Sequence, residues 1–186
     1  MAQEHDGRAK DRIETRRSGW RVLSMVVVGL AVGLGSVSSG WAQELVWARQ
    51  AGGTSSDEAR GIGVDGSGNS YVTGRFRDTA TFGPGETNET MLTSAGGNDV
   101  FVAKYDSLGD LVWAKRAGGT SDDDGRGIAV DGSGNSYVTG FFPDTATFGP
   151  GETNETMLTS AGGNDVFVAK YDSLGDLVWA KRAGGT

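Results

Sequence analysis

The chain has 186 residues, of which 32 are glycine, three proline and none cysteine, and its formal net charge is −7. No disulfide can form, and the only histidine, His5, falls in a segment read below as removed. A mature chain without His or Cys lacks the commonest general base, the thiol nucleophile and the usual transition-metal ligands, which narrows the enzymatic possibilities sharply.

Residues 1–21 are polar and carry six basic against four acidic side chains, with Arg16, Arg17 and Arg21 nearest the apolar run that follows. Residues 22–37 are apolar apart from small Ser and Gly, and Gly40 and Ala42 stand at −3 and −1 of a cleavage position. A positive flank, a short apolar run and small residues before the cut predict a signal peptide over 1–42, cleaved after Ala42. The alternatives are an uncleaved anchor, for which the run is short, since a span needs about 20 apolar residues, and a core helix of a cytoplasmic chain. The Arg16-Arg17 pair resembles a twin-arginine export signal but Ser18-Gly19-Trp20 after it fits that pattern poorly, and general secretion and twin-arginine export both stay open. Beyond Ala42 there are 20 acidic and 11 basic side chains, a net charge of −9. Such a surface repels phosphate backbones and anionic lipid heads, so neither nucleic-acid binding nor membrane insertion after cleavage is expected.

From residue 45 the chain repeats itself. Trp47, Trp113 and Trp179 are spaced by 66, as are Asp65 and Asp131. Residues 45–110 and 111–176 differ at eight positions: Arg49/Lys115, Gln50/Arg116, Ser56/Asp122, Glu58/Asp124, Ala59/Gly125, Gly63/Ala129, Arg75/Phe141 and Arg77/Pro143. Residues 177–186 restate 111–120 without change, which predicts the start of a truncated third unit. Copies this similar arose recently, so their sameness does not single out any residue. A terminal repeat normally carries an atypical capping sequence, and the lack of one here reads as a fragment.

Within one unit, 111–117 reads as a strand ended by Gly118-Gly119, and 127–131 as a second. Gly132-Ser133-Gly134-Asn135 supplies the turn residues of a tight hairpin, with 136–142 returning as a third strand. Residues 165–171 form a fourth, and the 173–176 turn leads into 177–179. The stretch 144–163 is long for a loop, with 145–148 and 157–159 as short strand segments inside it. No part of the mature chain shows apolar residues at helical spacing for three turns. Val166 and Val168 alternate with Phe167 and Ala169, so both faces of the sheet are apolar and each needs a neighbouring sheet. Stacking four-stranded sheets radially gives a propeller of about four to eight blades. The fold class is therefore all-β: tandem four-stranded β-propeller blades, each as long as one sequence unit, in an incomplete propeller.

The runs Gly127–Gly140 (GIAVDGSGNSYVTG), Asn164–Asp172 (NDVFVAKYD) and Leu177–Lys181 (LVWAK) resemble the bacterial SBBP β-propeller repeat, and the resemblance covers residues 45–186. It implies a secreted or cell-surface protein, often with many blades and further domains, and is specific for the repeat rather than for a function.

Asp131, Ser133 and Asn135 place oxygens as a calcium loop begins, but the twelfth position is Phe142 where a bidentate Glu is required, so a hairpin turn is the better reading; the same holds for Asp65, Ser67 and Asn69. Asp122-Asp123-Asp124 reads as a solvated acidic loop rather than a calcium cluster. Asn88-Glu89-Thr90 and Asn154-Glu155-Thr156 match the glycosylation sequon, which duplication reduces to one match. The three tryptophans suit packing between blades better than stacking on sugars. Arg75 and Arg77 against Phe141 and Pro143 predict that this strand face is better covered in the second copy. No catalytic, cofactor-binding or metal-binding residues are assigned. The expected function is a binding or structural scaffold outside the cell or on its surface, with a protein or carbohydrate partner. Its rivals are a fragment of a propeller enzyme, hydrolase or quinoprotein, and an array that spaces another domain from the surface.

Overall fold

A computed structural model describes residues 44–186; the expected signal peptide, 1–42, lies outside the described residues. Eleven strands and no helix make up the described part: β1 (Gly52–Gly53), β2 (Glu58–Val64), β3 (Ser70–Phe82), β4 (Thr90–Tyr105), β5 (Leu111–Gly119), β6 (Asp124–Val130), β7 (Ser136–Phe142), β8 (Thr145–Phe148), β9 (Thr156–Thr159), β10 (Asp165–Tyr171) and β11 (Leu177–Ala183). All pairings are antiparallel. The order β2-β3-β4-β5 makes one four-stranded blade and β6-β7-β10-β11 the next.

The β2–β3 and β6–β7 hairpins turn where Gly and Asn were expected to turn them. Gly68 and Gly134 hold φ of 83° and 78°, which an L side chain rarely adopts. The long segment of each unit folds as a small outer hairpin, β8–β9 in the second copy and the ends of β3 and β4 in the first. Glu152 clasps the strand that follows, its Oε2 accepting the Leu177 amide at 2.6 Å while the Asn154 side chain donates to the Leu177 carbonyl at 3.0 Å.

The blades are offset by one strand from the sequence unit. Leu111–Gly119, which opens the second unit, pairs with β4 and closes the first sheet. Its last residues, Ala117 to Gly119, also pair with β8 of the second unit. One continuous strand therefore belongs to blade 1 and is hydrogen-bonded into the next repeat.

Between the blades lies a core of Tyr71, Val100, Val102, Trp113 and Ala117 from blade 1 against Val138, Phe142, Phe148, Phe167, Tyr171 and Leu177 from the second unit. A second cluster, with Phe76, Phe82, Phe101, Tyr105 and Leu111, covers the other face of blade 1. The need for a neighbour on each face is visible in the copies themselves. Val100 and Val102 are each 1% exposed, whereas their equivalents Val166 and Val168 on the outer face of blade 2 are 47% and 38% exposed.

The expectation for the Arg75 and Phe141 face is reversed. Tyr71 and Thr73, on the strand that carries Arg75, are buried, while Tyr137 is half-buried and Thr139 exposed. This face looks toward the blade that follows, so the first copy is the covered one. The physical reason is the direction of stacking, which alternation along a strand does not reveal.

Candidate functional site: the junction between blades

The turn aspartates spend their oxygens on the hairpins. Asp131 accepts the Ser133 amide at 2.9 Å, the Asn135 amide at 3.0 Å and the Asn135 side chain at 2.8 Å. Bonds from Asn135, side chain first and then backbone, hold its carboxyl below the usual range. Asp65 repeats the arrangement with Ser67 and Asn69, at 2.9, 3.0 and 2.8 Å. This is an Asx-stabilised turn, and the ligand-like spacing of Asp, Ser and Asn is accounted for by it.

The three consecutive aspartates diverge. Asp122 reaches across to blade 1 and accepts both the backbone and side-chain N–H of Asn98 at 2.8 Å. Those bonds, the backbone one foremost, lower its pKa, with Arg77 and Arg75 adding to the effect. Asp124 is buried beside Arg126 at 3.1 Å and Arg60 of blade 1 at 3.5 Å. Asp123 is 3% exposed and accepts the Gly119 amide at 2.7 Å. Burial pushes its carboxyl up to about 7, with the neighbouring charge of Asp99 adding to the rise. Only Asp122 fits the expectation of a solvated loop; the other two belong to the interior of the junction.

Asp99 and Asp165, which the sequence pattern did not single out, are the buried charges of each outer strand pair. Asp99 is fully buried and accepts from Arg116 at 2.8 Å and from the Ala95 amide at 3.0 Å, yet burial outweighs both and raises its pKa. Asp165 repeats these bonds with Arg182 at 2.6 Å and the Ala161 amide at 2.8 Å, and there the amide and the guanidinium lower the pKa. A signal existed in the sequence: an acid and a base at the same separation in both units, Asp99/Arg116 and Asp165/Arg182. It is meaningful only once the two strands are known to pair.

Asp99 and Asp123 meet beside Gly118. A methyl group built on Gly118 would lie 2.7 Å from the Asp99 carboxyl carbon and 2.8 Å from Asp123 Oδ2, and φ there is +151°. The Asp99 Oδ1 atom is buried without a hydrogen-bond partner. Among the described residues no group of three or more His, Cys, Asp or Glu is placed to hold a metal ion.

Trp113 lies in the junction as its apolar bulk suggested. It is 8% exposed, stands edge-on to Tyr71 at 6.1 Å, and donates from Nε1 to the Ser173 carbonyl at 3.3 Å. Its ring sits so close to Gly175 that a Cβ there would fall 2.7 Å from Cδ2. Beside it Lys115 pairs with Glu152 at 2.8 Å and Asp176 at 3.1 Å. Tyr71 donates to the Gly134 carbonyl at 3.2 Å. Gly125 is required by close approach: a Cβ would meet Thr73 Oγ1 at 2.4 Å and Val100 Cγ1 at 2.9 Å. The two sequon asparagines are exposed, but each amide is already engaged, Asn88 with the Leu111 carbonyl and Asn154 with that of Leu177.

The junction is thus a sheet-on-sheet contact between successive copies of one repeat, ringed by charge pairs. Residues 46–75 and 112–140 match the SBBP family, described as a beta-propeller repeat. Both stretches are similar to that repeat, one in each sequence unit. Each matched stretch covers the β2–β3 or β6–β7 hairpin and the outer-strand sequence before it, so the match follows the sequence unit rather than the blade. The chain is also 32% identical over 123 residues to the Regulatory protein FlaEY of Caulobacter vibrioides, covering 66% of this chain and 12% of that protein. It is 28% identical over 128 residues to the uncharacterized WD repeat-containing protein L264 of Acanthamoeba polyphaga mimivirus, covering 65% of this chain and 9% of that protein. The chain spans about a tenth of the length of these curated relatives.

Proposed function

We propose that the protein is an exported propeller-repeat scaffold, non-enzymatic, that presents its blade loops to a protein or carbohydrate partner outside the cell or on its surface. The observation that carries this reading is the junction itself. Asp99 and Asp123 are engaged by Arg116 and by the Ala95 and Gly119 amides, Asp124 lies between Arg126 and Arg60, and the aromatic residues fill sheet faces. Such an arrangement serves rigidity and repetition, and rigid sheets are what hold variable loops in place. The match to a propeller repeat supports the scaffold, and the positive flank, apolar run and Gly40/Ala42 pair support export.

The test is export. Expressed in a bacterium with general secretion, the full chain should reach the periplasmic or extracellular fraction with Gln43 as its first residue. A product retaining Met1 in the membrane fraction would establish an anchor instead, and a soluble cytoplasmic product would refute the reading.

A further inference from the structure

The two acids beside Gly118 come from different sequence units. Asp99 lies in β4, in the first, and Asp123 ends the short connection between β5 and β6, in the second. The local bonds of each recur one unit away. Asp165 accepts from Arg182 and the Ala161 amide as Asp99 does from Arg116 and the Ala95 amide. Asp57 accepts the Gly53 amide at 2.7 Å as Asp123 accepts that of Gly119. Each half is thus written into the repeat, and the seam between blades is what brings the halves together.

Asp99 Oδ1 and Asp123 Oδ2 both lie 2.8 Å from the point where a side chain on Gly118 would begin, so they converge on the space that glycine leaves. Asp99 is 0% exposed, and its Oδ2 takes both the Arg116 guanidinium and the Ala95 amide while its Oδ1 has no donor. A buried acceptor without a donor is costly. The facing acid can supply one only by keeping its proton. The surrounding charges favour the same state. Asp122, from the same connection, and Asp144, just ahead of β8, add negative field at Asp123 beside that of Asp99. Arg77 and Arg75 of β3 act on Asp122, whose bonds to Asn98 also hold it ionised. With Asp99 and Asp123 both ionised, Arg116 balances only one of them, and an unbalanced buried charge is what a protein interior tolerates least.

We propose that Asp99 and Asp123 hold a single proton between them, carried by Asp123 and donated to the orphan Oδ1 of Asp99, and that this proton latches the connection after β5 onto β4. With the proton in place the pair and Arg116 are neutral together. Its release to solvent leaves two carboxylates facing each other over Gly118. The connection is the part free to yield, since it lies outside the strands and is tied to Asn98 by the Asp123 amide at 2.7 Å and by Asp122 at 2.8 Å. Burial already pushes the Asp123 carboxyl up to about 7. The latch is therefore closed in mild acid and opens as the pH rises through neutrality.

Carbon-13 NMR of the side-chain carboxyls, titrated on the full chain from about pH 3 to about pH 9, separates a shared proton from simple burial of Asp123. Acids that share a proton titrate as a pair, so the Asp99 signal should move in the same step as that of Asp123. Asp123→Asn keeps a donor for Asp99 Oδ1 and should remove that step. Asp123→Ala supplies no donor, and Asp99 should then titrate about one pH unit or more higher than in the Asn variant. Hydrogen exchange at the amides of residues 119 and 123, corrected for intrinsic base catalysis, reads the latch. Protection should fall about tenfold or more between pH 5 and pH 8 in the wild type and hold steady in Asp123→Asn. An Asp99 signal that is flat through the Asp123 step would overturn the proposal, and this outcome needs no variant to fold. Equal Asp99 midpoints in the Asn and Ala variants would do the same, as would equal loss of protection in wild type and Asp123→Asn. All of these are read on purified chain and are independent of whether the protein is exported.

Discussion

Raising the pH from about 4 to about 8 should weaken the blade junction through Asp123, and replacing that residue by Asn should remove the effect. In the folded chain its carboxyl titrates at about 7, against an ordinary value of 3.8. Between those two values the folded chain holds a proton that the unfolded chain has lost, so stability falls as pH rises through the window and the loss is complete above about 7. Below about 4 both states are protonated and the contribution is fully present. A displacement of this size corresponds to a ceiling of ~4 kcal/mol; local opening that rehydrates the carboxylate reduces it, and ~2–4 kcal/mol is the expected loss. Asn keeps an acceptor for the Gly119 amide and carries no charge beside Asp99. Urea melts at a series of pH values, for wild type and Asp123→Asn, measure the difference directly. The variant should be about as stable as wild type near pH 4 and increasingly more stable as the pH rises to about 7. Parallel profiles for the two proteins would refute the reasoning, because Asp123 would then be titrating as an exposed acid does.

Two further outcomes follow from the same structure. Val102→Asp places a charge where the side chain is 1% exposed and should unfold the chain or cost several kcal/mol, whereas Val168→Asp, the same change one repeat later, should stay within about 1 kcal/mol of wild type in a thermal melt at dilute concentration. Millimolar Ca²⁺ should leave the melting temperature unchanged, since Asp65 and Asp131 are engaged by their own turns; a clear rise, as binding to the native state alone would produce, would show that cation coordination outcompetes those bonds.

Much of the secondary structure was legible because it rests on local chemistry. Alternation marked β7 and β10, the Gly-Ser-Gly-Asn run marked the hairpin between β6 and β7, and two apolar segments in the long loop marked β8 and β9. Apolar residues on both faces of residues 165–171 announced stacking, and the contrast between Val102 and Val168 is that argument seen in three dimensions. Three things were not legible. The spacing of the tryptophans sets the length of the repeat but not its phase, so nothing in it says that Leu111–Gly119 closes the blade behind rather than opening the one ahead. The direction of stacking, which decides that Tyr71 rather than Tyr137 is covered, has no trace in a single strand. The separate fates of Asp122, Asp123 and Asp124 depend on whether Asn98, Gly119 or Arg60 comes near, and those neighbours arrive from other strands.

The offset between unit and blade bears on how such a chain changes length. Because each unit begins with the strand that finishes its predecessor, a crossover between two copies, at whatever point it falls, rejoins a half-blade to its correct complement. Gain or loss of one whole unit then leaves every internal seam with the same strand pairing. The closing strand that straddles two repeats makes copy number a quantity that recombination can alter in whole steps.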